Sequence, residues 1–197
     1  MKSMKKVLLT AVMVMVSTFA IANDNKPSVR VEKVGTKTLV VFVNGSKEGE
    51  TQIKLKDENG LTLYNTQTKD GLEFAKKFDL GSLEAGNYTV EVENAMSFTA
   101  TPVSINKDSA WINNEDQITI LKPVLRQSGE KLDIILPSDD CDDVIVTIFD
   151  SNFKKLASEN FNGEALKRFD LSQLTEGSYT VKMTTKGRNF VQSVSVK

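Results

Sequence analysis

Short runs in which apolar and polar residues alternate recur along the whole chain. Ile53 and Leu55 alternate with Gln52, Lys54 and Lys56, and Tyr88, Val90 and Val92 alternate with Thr89, Glu91 and Glu93. A period of two with polar partners is the mark of a half-buried antiparallel strand, because successive side chains leave opposite faces. Leu39 to Val43 is apolar on both faces and suits a central strand. The pattern predicts strands near 28–34, 38–43, 51–56, 61–66, 73–79, 87–93 and 97–105, and then the same set again. Asp57-Glu58-Asn59-Gly60 is a hairpin signal between two of these runs, and Asp150-Ser151-Asn152 holds the same place later in the chain. No segment sustains an apolar period near 3.6 residues, so little helix is expected.

The second set is a copy of the first. FDLGSLEAGNYTVEV (Phe78 to Val92) returns as FDLSQLTEGSYTVKM (Phe169 to Met183), and LVVFVNGSKEGETQIKLKD (Leu39 to Asp57) aligns without a gap on LDIILPSDDCDDVIVTIFD (Leu132 to Asp150). This is a tandem duplication of a unit of roughly 80 residues, the size of a single domain. Seven short strands per unit predict a β-sandwich. The expected organisation is therefore all-β: one sandwich over 27–106, a second over 107–197, and a polar join at about 106–117. Within that join Trp111 is expected to plug the space between the sandwiches, since an isolated tryptophan usually buries most of its surface. Pro123, within Ile118 to Leu125, suits an edge or kinked first strand of the second sandwich.

The repeated stretch has the spacing of a tyrosine corner: Leu80, Leu83, Gly86 and Tyr88 in the first copy, Leu171, Leu174, Gly177 and Tyr179 in the second. In that device a tyrosine early in a strand buries its ring and returns its hydroxyl to backbone a few residues upstream. The glycine is expected where a side chain would crowd the turn. These eight residues are read as structural, because a buried tyrosine needs a hydrogen-bond partner and not a substrate.

Composition narrows the chemistry. Lys2, Lys5 and Lys6, an apolar run from Val7 to Val16 and an Ala20-Ile21-Ala22 end form the pattern of a cleaved secretory signal peptide over 1–22. The apolar run is far short of the roughly 20 residues that span a bilayer, so no membrane span is expected in the mature chain. Cleavage shifts the formal net charge from −1 to −4, which gives nucleic acid no electrostatic reason to bind. Cys141 is the single cysteine, so no intrachain disulfide forms and stability must come from packed cores. The chain has no histidine. Histidine-activated nucleophiles and histidine-ligated metals are excluded with it, and no glycine-rich phosphate loop appears. No cofactor is expected and no catalytic residue is assigned; the protein is read as a non-enzyme.

One cluster stands out. Asp139, Asp140, Asp142 and Asp143 surround Cys141, where the first copy has Ser46-Lys47-Glu48-Gly49-Glu50. Four carboxylates in a loop match the oxygen ligands that Ca²⁺ takes. The spacing is not that of a calcium-binding helix–loop–helix, and a solvated charged loop accounts for the same residues.

Each copy resembles the immunoglobulin-like and fibronectin type III-like modules of secreted proteins from Bacteroidetes. The second is similar to the C-terminal sorting domain of the type IX secretion system, on VIVTIFDSNFKKL, FDLSQLTEGSYTVKM and FVQSVSVK. Phe153 stands where that family usually has glycine in its D-x-x-G turn. The resemblance implies two tandem sandwiches after a signal peptide, exported to the periplasm, the outer surface or the medium. Two functions follow as expectations: a binding or structural protein engaging a protein or envelope component, or type IX cargo whose second copy is its address. A periplasmic two-sandwich chaperone and a calcium-dependent adhesion or carbohydrate-binding module stay open beside them.

Overall fold

A computed structural model describes residues 28–44, 50–68, 73–136 and 144–197. The expected signal peptide and the acidic loop Asp139 to Asp143 lie outside the described residues. The chain divides into two compact units, Ile21–Leu121 and Lys122–Lys197. The described residues form strands and no helix.

The N-terminal unit begins with β1 (Ser28–Gly35), β2 (Thr38–Asn44), β3 (Thr51–Asp57) and β4 (Thr62–Thr68). It continues with β5 (Glu73–Asp79), β6 (Gly86–Glu93) and β7 (Ser97–Ile105). One antiparallel sheet has the order β1-β2-β5, and a second runs β4-β3-β6-β7. Strict alternation decides which face is inside: Leu39, Val41 and Val43 are buried along β2, while Val40 and Phe42 between them are half-buried. Val31, Leu39 and Val41 of the first sheet share one buried cluster with Ile53, Val90, Val92 and Val103 of the second. Two sheets closing over one core make a sandwich. Each such side chain contributes about 1.5–3 kcal/mol by leaving water.

The C-terminal unit repeats the scheme. After two short strands, β8 (Ala110–Ile112) and β9 (Ile118–Leu121), its own strands are β10 (Val124–Ser128), β11 (Lys131–Ile135), β12 (Ile145–Phe149), β13 (Lys155–Asn160), β14 (Leu166–Asp170), β15 (Gly177–Thr185) and β16 (Arg188–Val196). They pair as β10-β11-β14 and β13-β12-β15-β16. Leu132, Ile134 and Phe169 supply the buried positions of the first sheet; Val146, Ile148, Tyr179, Val181 and Met183 supply those of the second.

The units differ at the expected join, and here the sequence reading is corrected. Residues 106–117 are not a linker. β8 (Ala110–Ile112) and β9 (Ile118–Leu121) both lie antiparallel against β7: β8 pairs with Val103 to Ile105 and β9 with Ser97 to Ala100. The N-terminal unit therefore extends to Leu121 and the C-terminal unit starts at Lys122, not 107. Ile118 to Leu121 completes the first sandwich and does not open the second, whose first strand begins at Val124, after Pro123. The physical reason is the unpaired edge of β7, whose donors and acceptors the following segment satisfies.

Candidate functional site

The two corners share one local architecture. Asp79 Oδ1 accepts from the Gly81 N–H at 2.9 Å, and Asp170 Oδ1 accepts from the Ser172 N–H at 3.0 Å. The Leu80 N–H donates to the Lys37 carbonyl, and the Leu171 N–H to the Glu130 carbonyl. A turn closes from the Leu83 N–H to the Leu80 carbonyl, and from the Leu174 N–H to the Leu171 carbonyl. Leu80 and Leu171 are fully enclosed, while Leu83 packs partly buried against the core and Leu174 is half-buried. The Tyr88 hydroxyl then donates to the Glu84 carbonyl at 2.9 Å, and the Tyr179 hydroxyl to the Thr175 carbonyl at 2.6 Å. Burial, with the nearby Glu84, Asp57 and Glu58 carboxylates, raises the Tyr88 phenol above its ordinary value. That keeps it a neutral donor.

The two glycines act differently. A Cβ at Gly86 would make ordinary van der Waals contact with Tyr88 Cε2 at 3.7 Å, so crowding does not require glycine there. Gly177 has φ of +153°, and a Cβ placed on it would meet nothing within 4 Å, so its glycine is demanded by backbone conformation alone.

The aspartate hairpins are also matched. In the first, Asp57 Oδ1 accepts from the N–H groups of Asn59 and Leu61, and the Gly60 N–H closes the turn on the Asp57 carbonyl. In the second, Asp150 Oδ1 accepts from Asn152 and Lys154, and the Phe153 N–H closes on the Asp150 carbonyl. Gly60 sits at φ +78° and Phe153 at φ +58°. A phenylalanine thus occupies a left-handed position that glycine takes without penalty, with its side chain 77% exposed. The sequence marks the departure at Phe153 but does not show that it projects an aromatic ring into solvent.

Trp111 lies on a strand of the N-terminal unit and not in a linker. It is 50% exposed on β8, opposite Ser104, with the Lys33 ammonium 5.7 Å from its ring centroid. A three-residue strand on the outer edge of β7 leaves one indole face uncovered, and the lysine covers part of it. Asp139, Asp140, Asp142 and Asp143 lie outside the described residues. Among the described residues no group of three or more His, Cys, Asp or Glu side chains converges as metal ligands would. No helix among them is long and apolar enough to cross a membrane.

One cross-strand pair of the C-terminal unit has no counterpart at the matching position of the N-terminal unit. Arg168 Nε and Nη2 donate to Asp133 Oδ1 and Oδ2 at 2.6 and 2.7 Å, across the β11–β14 pair. The bidentate guanidinium holds the Asp133 carboxyl below its ordinary value. Lys131 pairs with Asp170, and with the Ser172 N–H it lowers that carboxyl to about 2. The corresponding cross-strand pair in the N-terminal unit is Val40 with Lys77.

Residues 128–197 match the family model of the secretion system C-terminal sorting domain. No curated protein matches the chain. Among solved structures, the BSP domain of a biofilm associated protein is 16% identical, covering 87% of this chain and 29% of that one, at a TM-score of 0.30. Native alpha-2-macroglobulin from Escherichia coli, spanning domains MG0-NIE-MG1, is 11% identical over 85% of this chain and 64% of that one, at 0.33. A two-domain fibronectin type III segment from chicken tenascin is 10% identical over 86% of this chain and 99% of that one, at 0.31. The chain thus spans less than two thirds of the first two. At these TM-scores the likenesses carry no argument, and the sandwich rests on the sheet topology itself.

Proposed function

We propose that the protein is cargo of the type IX secretion system, with Lys122–Lys197 as its sorting domain and Ile21–Leu121 as the module delivered to the cell surface or the medium. The observation that carries this is the sorting-domain match over 128–197, which coincides with one compact unit except for most of its first strand. An address must be presented as a folded body separable from what it delivers, and the unit boundary between Leu121 and Lys122 supplies that division.

The delivered module acts by binding or as a structural element and catalyses no reaction. The absence of histidine from the chain removes the commonest general base. The geometry of its corner serves the fold: Leu80 and Tyr88 point into the core, leaving the sheet ends and Trp111 as its outward chemistry. Its partner is a protein or another component of the envelope.

Deleting 122–197 tests the reading in a host that has the secretion system. The truncated chain should accumulate in the periplasm while the full chain reaches the surface or medium. A periplasmic reporter fused to 122–197 should be exported in turn. Export of the truncated chain at full level would sink the proposal.

A further inference from the structure

The copies treat one strand edge in opposite ways. Antiparallel pairing leaves every second residue of an outer strand with its N–H and C=O directed away from its neighbour. The register aligns β7 on β16 through Gly86↔Ile105 and Gly177↔Val196. In β7 the outward row is Phe98, Ala100, Pro102 and Ser104, as the bond from the Asn113 N–H to the Pro102 carbonyl at 3.0 Å shows. β9 and β8 cover this row. In β16 the equivalent row is Asn189, Val191, Ser193 and Ser195. Among the described residues β16 pairs with β15 alone. Exposure follows: Thr101 of β7 is fully enclosed, and its counterpart Gln192 is exposed; Val191 is 60% exposed.

Edges left open in folded proteins usually carry charges, prolines or bulges that repel an added strand. β1 and β4 have bulges in their pairing, and β5 presents Lys76 and Lys77. The outward row of β16 has none of these. Its nine-residue pairing with β15 runs without a register shift, and no proline stands where β7 has Pro102.

We propose that the β16 edge, over Asn189 to Ser193, is a strand-acceptor site for an extended segment of a partner protein. That segment is apolar and mostly β-branched with a hydroxyl residue set within it, and runs antiparallel to β16. The occupant's chemistry is read from the same molecule: Ile118-Thr119-Ile120-Leu121 lies on Ser97 to Ala100, the β7 counterparts of Arg188 to Val191. The Gln127 side-chain amide closes the far end of the row by donating to the Ser195 carbonyl at 2.5 Å. A partner strand is thereby confined to the half of the row from Asn189 to Ser193, which includes the counterparts of the stretch that β9 covers in the first unit. A second copy pairing edge to edge about Gln192 would need both halves. The inference rests on the strand pairing and not on the secretion reading.

The test uses the full chain, isotopically labelled, titrated with a synthetic peptide of Asp116 to Lys122 and with a scrambled peptide of the same composition. Saturable amide shifts confined to Asn189, Val191 and Ser193 and their neighbours are expected from the first peptide only. Val191→Pro removes an outward donor as Pro102 does in β7, and loss of that hydrogen bond should weaken binding about tenfold. Val191→Lys adds an edge charge without touching the backbone, and should also weaken binding. Unchanged spectra at millimolar peptide overturn the proposal. So do shifts centred on β7, equal response to the scrambled peptide, or concentration-dependent broadening of β16 without peptide, the sign of self-pairing.

Discussion

The two sandwiches carry the same corner and the same aspartate hairpin, yet differ in how they finish their sheets. The N-terminal unit adds β8 and β9 to a seven-strand plan, and its β7 is covered on both sides. The C-terminal unit keeps the bare plan and adds a guanidinium–carboxylate clamp, Arg168 to Asp133, where its twin has Lys77 and Val40. A duplicated fold thus preserves what closes the core and varies what lies on the edge and the outer face. Core positions are fixed by packing, and surface positions are free to acquire a task.

The largest effect should come from the shared feature. Tyr88→Phe and Tyr179→Phe each remove the donor to a part-buried backbone carbonyl, at a cost of about 1–1.5 kcal/mol. Hydrogen exchange in the full chain should show the loss only in the unit that carries the substitution. Equal destabilisation of both units by either change, or none, would contradict separate cores.

The hairpins come next. Phe153→Gly should stabilise the C-terminal unit by about 1 kcal/mol, because glycine enters the left-handed region without the clash of a Cβ. Gly60→Ala should cost the N-terminal unit a similar amount at φ +78°, although a Cβ there meets nothing within 4 Å. Denaturant midpoints of the two variants should move in opposite directions. If Phe153→Gly instead destabilises, the exposed ring is held by packing that its 77% exposure does not show.

How much of the molecule is legible in its sequence follows from which interactions are local. The seven strands of each unit are readable because alternation of buried and exposed side chains is written in adjacent residues, as in Leu39-Val40-Val41-Phe42-Val43. The corner is readable because both its partners, Tyr88 and Glu84, lie within one turn of chain. β8 and β9 are not. Ala110 to Ile112 and Ile118 to Leu121 are too short for a period to register, and what makes them strands is the open edge of β7. Trp111 is misplaced for the same reason: a join predicted to be a linker offers no sheet edge to set it on. The Asp133–Arg168 clamp joins residues 35 apart in sequence, and no local pattern announces it.

A smaller effect should separate the units by pH. Asp133 and Asp170 have folded-state values below the ordinary 3.8, Asp133 through Arg168 and Asp170 through Lys131 at about 2. A depressed carboxylate contributes stability that is fully present above the unfolded value and is lost as pH falls through the folded one. The C-terminal unit should therefore weaken between about pH 4 and pH 2 beyond what its remaining carboxylates cause. Both groups are solvent-screened, so the contribution is small. The double variant Asp133→Asn, Asp170→Asn should flatten this slope in the C-terminal unit and leave that of the N-terminal unit unchanged, as read by unit-resolved hydrogen exchange at each pH. An unaltered slope would mean that these pairs do not set the acid limit.

The smallest expected effect is none. Asp139, Asp140, Asp142 and Asp143 form a run that the first copy replaces with Ser46-Lys47-Glu48-Gly49-Glu50, so the molecule carries its own control. A bound ion would stabilise the C-terminal unit by RT ln(1 + [L]/Kd) and leave the other unmoved. Ligand number alone is poor ground for affinity, because Ca²⁺ requires converging oxygens and not only carboxylates that are neighbours in sequence. Melting at millimolar Ca²⁺ against chelator should show the same transitions for both units. Replacing the four aspartates by asparagine should leave the C-terminal unit unchanged or slightly more stable, as mutual repulsion is relieved. A Ca²⁺-dependent rise confined to that unit, absent from the asparagine variant, would turn the acidic loop from a difference in solvation into a difference in function between the copies.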